Sequence, residues 1–214
     1  MFGVLGEMKG RIVLIKIPDR NTAKKFLMEA EKLNPGRWVP HSLFVAQAAE
    51  AIAKEHPELD SEVAYVVGCL HDIGRREGIT YMRHSFDGYR FLQQRGYDDA
   101  ARICITHTFW LKGLEEYSGK WDCSADEISF LESYIASVEY NEYDRLIQLC
   151  DCLALPSGFC LLEKRLVEAA IRYGTTEHTA VKWKLLFENK DKVEQKIGGS
   201  IYDLLPGLRE NTFS

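Results

Sequence analysis

The stretch Val66-Val67-Gly68-Cys69-Leu70-His71-Asp72-Ile73-Gly74-Arg75 runs an apolar segment straight into an adjacent histidine and aspartate. An ionised carboxylate in apolar surroundings costs several kcal/mol unless a cation or a set of hydrogen bonds compensates it. A divalent metal is the usual compensation, which makes His71 and Asp72 candidate ligands. For a bare His-Asp dipeptide the more frequent explanation is a helix-terminal pair at the surface. The pattern in the rest of the chain displaces that explanation.

The apolar segment reads as a helix that starts at the cap Asp60 and places Ala64, Val67, Gly68 and His71 on one side. Gly68 lies one turn before the pair and would leave room for something the pair holds, and Gly74 ends the helix. Upstream, His41 opens a helix whose stripe continues through Val45, Ala48 and Ile52, so the imidazole should face the core. Downstream, His84 sits at or just before the first turn of a third helix that Gly96 stops. Asp98-Asp99 begins a fourth, whose stripe of Ala100, Ile103, Cys104 and His107 again brings a histidine onto the apolar face. Ser124 and Glu127 have capping-box spacing for a fifth helix. A sixth, near 143–155, carries Ile147, Cys150, Asp151 and Ala154 to one side, which makes Asp151 a second carboxylate in an apolar sector.

Between these elements, residues 111–122 form a polar loop long enough to serve as a lid or pocket wall. Residues 11–17 suit one short strand stopped by Pro18, followed by a helix capped by Asn21 and ending at Asn34-Pro35-Gly36. Two more helices, about 161–172 and 177–189, precede an apolar tail expected to dock on its own domain. The fold class is therefore all-α, a single helical bundle with a short N-terminal strand and a helical C-terminal extension. Its parts are residues 1–35, a strand and helix packed on the core; 36–155, the metal-binding core; and 156–214, an extension of the same domain.

Composition narrows the function classes. The 214 residues carry a formal net charge of -5 with no basic block, which argues against binding duplex nucleic acid but leaves room for a local cationic pocket. No apolar run approaches the roughly 18 residues of a membrane span, and Ile12-Val13-Leu14-Ile15 is too short for a signal-peptide core. A cytoplasmic protein without membrane contact is expected. The six cysteines contain no Cys-x-x-Cys pair and read as reduced, buried small hydrophobes. Of the six histidines, His56 and His178 read as solvated; the other four, with Asp72 and Asp151, give six oxygen and imidazole donors on five helices.

The order His41, then His71-Asp72, then Asp151 resembles the HD superfamily of metal-dependent phosphohydrolases, and the resemblance covers roughly residues 36–155. His84 with Gly88, and His107 with Thr108, look like the extended pattern of dinuclear members, most similar to bacterial hydrolases that cleave diadenosine tetraphosphate symmetrically. The resemblance implies an HD-domain helical bundle in which His41, His71, Asp72 and Asp151 hold one metal while Asp72 bridges to a second held by His84 and His107. One or two divalent ions are expected, iron or manganese first, with zinc, nickel or magnesium also compatible with these donors. Such ions acidify bound water toward a pKa of about 7 and can clamp a phosphoryl group.

A phosphate also needs cations, and a nucleotide needs a flat face for its base. By adjacency to the ligands, Arg75 and Arg76 join Asp72 as catalytic candidates, and Arg37, Trp38, Trp110 and Lys112 are substrate-binding candidates, with Glu77 and Glu142 as weaker acids. The expected function is hydrolysis of a phosphomonoester or phosphoanhydride of a small phosphorylated molecule, foremost a nucleotide. An HD-type di-iron oxygenase and a metal-containing ligand sensor without turnover are the alternatives, and no oligomeric state is assigned.

Overall fold

The computed structural model describes residues 4–8 and 11–213. An antiparallel hairpin, β1 (Val4–Met8) and β2 (Arg11–Ile15), pairs Val4 with Ile15 and Met8 with Arg11. The sequence suggested one strand over 11–17; β1 escaped because Gly6 and Glu7 interrupt its apolar pattern, and β2 stops at Ile15. Helices α1 (Arg20–Leu33), α2 (Trp38–Glu55) and α3 (Ser61–Leu70) follow. The cap of α1 is Asp19, which accepts from the Thr22 amide, and not Asn21. Pro40 is tolerated in the first turn of α2, where its missing N–H would have no partner within the helix, so α2 starts three residues before His41.

The His-Asp pair lies at the end of α3, before a short 3-10 turn over Ile73–Glu77. Helices α4 (Arg83–Gln93), α5 (Asp98–Thr106), α6 (Ala125–Ser137) and α7 (Glu142–Leu153) complete the central bundle. A tight hairpin, β3 (Ala154–Leu155) with β4 (Gly158–Phe159), turns the chain toward α8 (Leu162–Tyr173), α9 (Thr179–Ile197) and α10 (Leu208–Thr212). Strands of two residues are too short to show periodicity, which is why the sequence carried no sign of them. The described residues are thus predominantly helical, an all-α fold with small hairpins.

The main apolar core joins α1, α2, α3, α5 and α7, and Ile201, Leu205 and Leu208 of the tail are buried in that same core, so the tail packs on its own domain. A smaller cluster of Met82, Ile105, Phe109, Leu131 and Ile135 seats α6 against α4 and α5. Gly68 does not make room for a ligand as its position suggested. A Cβ there would lie 2.9 Å from the Ala46 Cα, so its role is to let α3 lie against α2. Five of the six cysteines are buried and all are free. No helix among the described residues is long and apolar enough to cross a membrane.

Candidate metal centre

The candidate ligands lie at or near the ends of α2, α3, α4, α5 and α7, and two of these helices, α3 and α7, start at side-chain caps. The Asp60 carboxylate accepts from the Glu62 and Val63 amides to start α3, and Asn141 with Asp144 forms a capping box that starts α7. Asp122, from the loop over 111–122, accepts from the amides of Tyr81 (2.7 Å) and Arg83 (2.8 Å) and so fixes the start of α4 beside His84. His41, His71, Asp72, His84 and His107 are all buried.

Three of these histidines have their protons assigned by a carbonyl in their own helical turn. Nδ1 of His71 donates to Gly68 O (2.7 Å), that of His107 to Ile103 O (3.0 Å), and that of His84 to Tyr81 O. A carbonyl only accepts, so each Nδ1 carries hydrogen and each Nε2 presents a lone pair. Burial keeps them neutral by lowering all three pKa values, that of His107 to about 4.

The lone pairs converge on carboxylates. Asp72 Oδ1 lies 3.1 Å from His84 Nε2 and 3.7 Å from His107 Nε2, while His71 Nε2 lies 3.9 Å from Asp72 Oδ2 and 3.8 Å from Asp151 Oδ1. His41 Nε2 reaches Asp151 Oδ1 at 2.8 Å. Burial alone would raise Asp72, but the Arg75 guanidinium bonded to it holds it well below the usual carboxylate range. Asp151 is also held low against burial, chiefly by His41. His71 Nε2 and Asp72 Oδ1 are buried without hydrogen-bond partners. Two acceptors facing each other in a dry site repel unless a cation lies between them.

The donors therefore fit a divalent cation. Among the described residues, His41, His71 and Asp151 form one group whose ligand atoms all lie within 4.8 Å of one another, and His71, Asp72 and His107 form a second. His71 is common to both. No thiol belongs to either group, and imidazole with carboxylate suits borderline and hard divalent ions. A third group, His56 with Glu58 and Glu142, differs in kind, because the Lys196 ammonium already pairs with both carboxylates at 2.8 and 3.1 Å. His56, expected to be solvated, is in fact buried, with Nδ1 accepting from the Glu58 amide.

The cluster opens into a cavity of about 790 Å³. Arg37, Trp38, Arg75 and Trp110 line it, as their adjacency to the ligands suggested. Arg75 Nε donates to Asp72 Oδ2 at 2.6 Å. Two other candidates lie elsewhere. Arg76 lies over the Phe91 ring at 4.1 Å and pairs with Glu77, and neither residue lines the cavity. Lys112 has a left-handed backbone (φ 63°) that sends its ammonium over Tyr140 and out of the lining. Glu142 is held at the surface by Lys196.

Sequence reasoning missed several residues that do line the cavity. Glu116 accepts from the Trp110 and Leu111 amides (2.9 and 2.8 Å) and pairs with Lys182 at 3.3 Å, and Lys182 lies 4.8 Å above the Trp110 ring. Tyr117, Arg165, Tyr173 and Trp183 complete much of that wall. They come from the 111–122 loop and the C-terminal helices, far in sequence from any ligand. Only the polar loop itself gave a signal.

A helical bundle that gathers histidines and aspartates around a charged cavity defines a class of metal-site proteins. Within it the assignment is direct: the family model described as HD domain matches residues 39–155, more than half of the chain. The chain belongs to the HD domain family, whose members are in general metal-dependent phosphohydrolases. The match is to the domain as a whole and singles out no branch of it. Neither a search of curated proteins nor one of solved structures returned a match.

Proposed function

We propose that the protein is a metal-dependent hydrolase of a nucleotide-sized phosphate ester or anhydride, with His41, His71, Asp72, His84, His107 and Asp151 as its metal ligands. The observation that supports this most is electrostatic. In a chain of net charge -5, the cavity is lined by six basic side chains (Arg37, Arg75, Lys164, Arg165, Arg172 and Lys182) and four acidic ones. Two of the four are Asp72 and Asp151, whose charge a divalent metal would neutralise, so the loaded cavity favours an anion. Its volume falls within the roughly 300–1,000 Å³ of ordinary ligand sites, far beyond a lone phosphate. Trp38, Trp110 and Trp183 offer flat faces for a base.

A bound divalent metal supplies Lewis acidity and an acidified water. The chain's own groups do the rest. Arg75, fixed by Asp72, presents the remainder of its guanidinium to phosphate oxygens. Glu116 holds the Trp110 backbone while Trp110 Nε1 donates to His107 O at 2.9 Å, which keeps the indole plane beside the cluster. The expected test result is phosphate release from a panel of phosphomonoesters, nucleotides and diadenosine tetraphosphate by metal-loaded protein without oxygen, lost on chelation. Turnover only with oxygen would install the di-iron oxygenase in its place, and binding without turnover would install the sensor.

The two neighbouring arginines should separate in the same assay. Arg75→Ala should lower kcat/KM by about 30-fold, the scale of one charge-assisted contact. Arg76→Ala should leave kcat/KM within about twofold and lower Tm by a few degrees, because its cation sits on Phe91. Equal kinetic losses in the two variants would refute this division of roles.

A further inference from the structure

Three of the six cations of the cavity have fixed polar partners. Arg75 pairs with Asp72, Lys182 with Glu116, and Lys164 donates to the carbonyls of Asn211 (3.2 Å) and Thr212 (2.7 Å). Arg37 and Arg172 are exposed and keep their water. Arg165 is different. It is half-buried on α8, lines the cavity, and its Nε is buried without a hydrogen-bond partner. Among the described residues no carboxylate forms an ion pair with it. A guanidinium nitrogen held out of water with nothing to donate to is costly, and in the wall of a ligand cavity an anion of the ligand is a partner that would satisfy it.

The position of Arg165 narrows what that anion is. Burial acts on it first, and the largest opposing influence is the negative charge of Asp151, on the His41 side of the cluster. Arg75 is bound to the other carboxylate, Asp72, on the His84 side. Arg75 is thus pinned to Asp72, whereas Arg165 shares the field of Asp151 without pairing with any carboxylate. Once a divalent ion cancels the charge of Asp151, Arg165 is left facing a positive centre with no counter-charge of its own, and the anion must come with the ligand.

We propose that Arg165 binds a second phosphate of the substrate, beyond the one placed beside Asp72 and Arg75, so that the preferred ligand carries two or more linked phosphates, as a nucleoside diphosphate does. This rests on the phosphohydrolase reading for its first phosphate but not on turnover. The residue lies outside the matched stretch 39–155, which makes the C-terminal wall a determinant of selectivity.

Calorimetric titration of the full-length, metal-loaded protein with ADP and with AMP tests this. The wild-type protein should bind ADP at least about tenfold more tightly than AMP. Arg165→Gln should weaken ADP binding by about 30-fold, collapse that preference and leave metal content unchanged, and Arg165→Lys should fall between, because it keeps the charge without the planar fork. Should the glutamine variant fail to fold, the lysine variant alone reads the loss of preference. Equal weakening for both probes would place Arg165 on the phosphate at the metals and overturn the proposal. So would unchanged ADP affinity, loss of metal from the variant, or a wild-type protein that does not prefer ADP. Preserved ADP selectivity in a protein that hydrolyses no phosphate would overturn the hydrolase assignment and leave Arg165 where it is placed here.

Discussion

Asp72→Ala is expected to strip most of the bound metal and reduce turnover by at least about 10³-fold, since acidification of the attacking water is lost with the metal. The expectation follows from the number of groups that meet on this carboxylate. His71, His84 and His107 all turn Nε2 lone pairs toward it, at 3.9, 3.1 and 3.7 Å. Removing it leaves three imidazoles without a shared anion and leaves the Arg75 guanidinium, now unpaired, against the same space. His84→Ala should differ in kind. His41, His71 and Asp151 remain as one group, so about one metal per chain should persist, while the loss of His84 beside Asp72 makes activity fall further than metal content. Elemental analysis after anaerobic loading, beside phosphate release, reads both quantities. Wild-type metal content and rate in His84→Ala would mean that the second site is not built from this histidine, and a metal-replete Asp72→Ala would end the proposed ligand set.

The second large effect is expected from a residue with no side chain. A Cβ on Gly74 would fall 1.9 Å from the His84 carbonyl oxygen and 2.4 Å from the Gly88 amide nitrogen, both backbone atoms that no rotamer change can move. Gly74→Ala must therefore push the first turn of α4 away from the His-Asp turn. The expected cost is about 3 kcal/mol, or a fall in Tm of about 6–12 °C for a chain of this size. Because His84 rides on the displaced turn, the surviving protein should also bind less metal. Gly199→Ala is the control, with open space around its Cβ and no left-handed backbone, and should change nothing measurable. A Gly74→Ala protein with wild-type Tm and metal content would show that α4 is not held by this contact.

The helices and the inward stripes of His41, His71, His107 and Asp151 were legible because burial leaves a period in the sequence, and a polar residue on an apolar stripe stands out from it. Adjacency to those residues was a poorer guide. Arg75 and Arg76 are neighbours in sequence, but one turns to Asp72 and the other to Phe91, a distinction set by the phase of a 3-10 turn that no apolar pattern records. Lys112 looked equivalent to Trp110 until its left-handed backbone took it to Tyr140. Gly68 was read as space for a ligand when it is space for α2. Arg165, Lys182 and Trp183 left no local signal, because what makes them cavity residues is the docking of α8 and α9, a long-range event.

The carbonyls that orient His71, His84 and His107 belong to Gly68, Tyr81 and Ile103, three or four residues back along the chain. Orientation is therefore complete once each helical turn has formed, and it asks nothing of an ion. In small zinc modules, by contrast, binding the ion is the folding event. Here three of the six donors are aimed by the chain itself, so an arriving ion meets imidazoles already set and is drawn from whatever divalent ions the surroundings hold in supply. Which ion it carries then becomes a question of competition among available metals, and two batches of the same folded protein grown in different media can differ in chemistry without differing in shape.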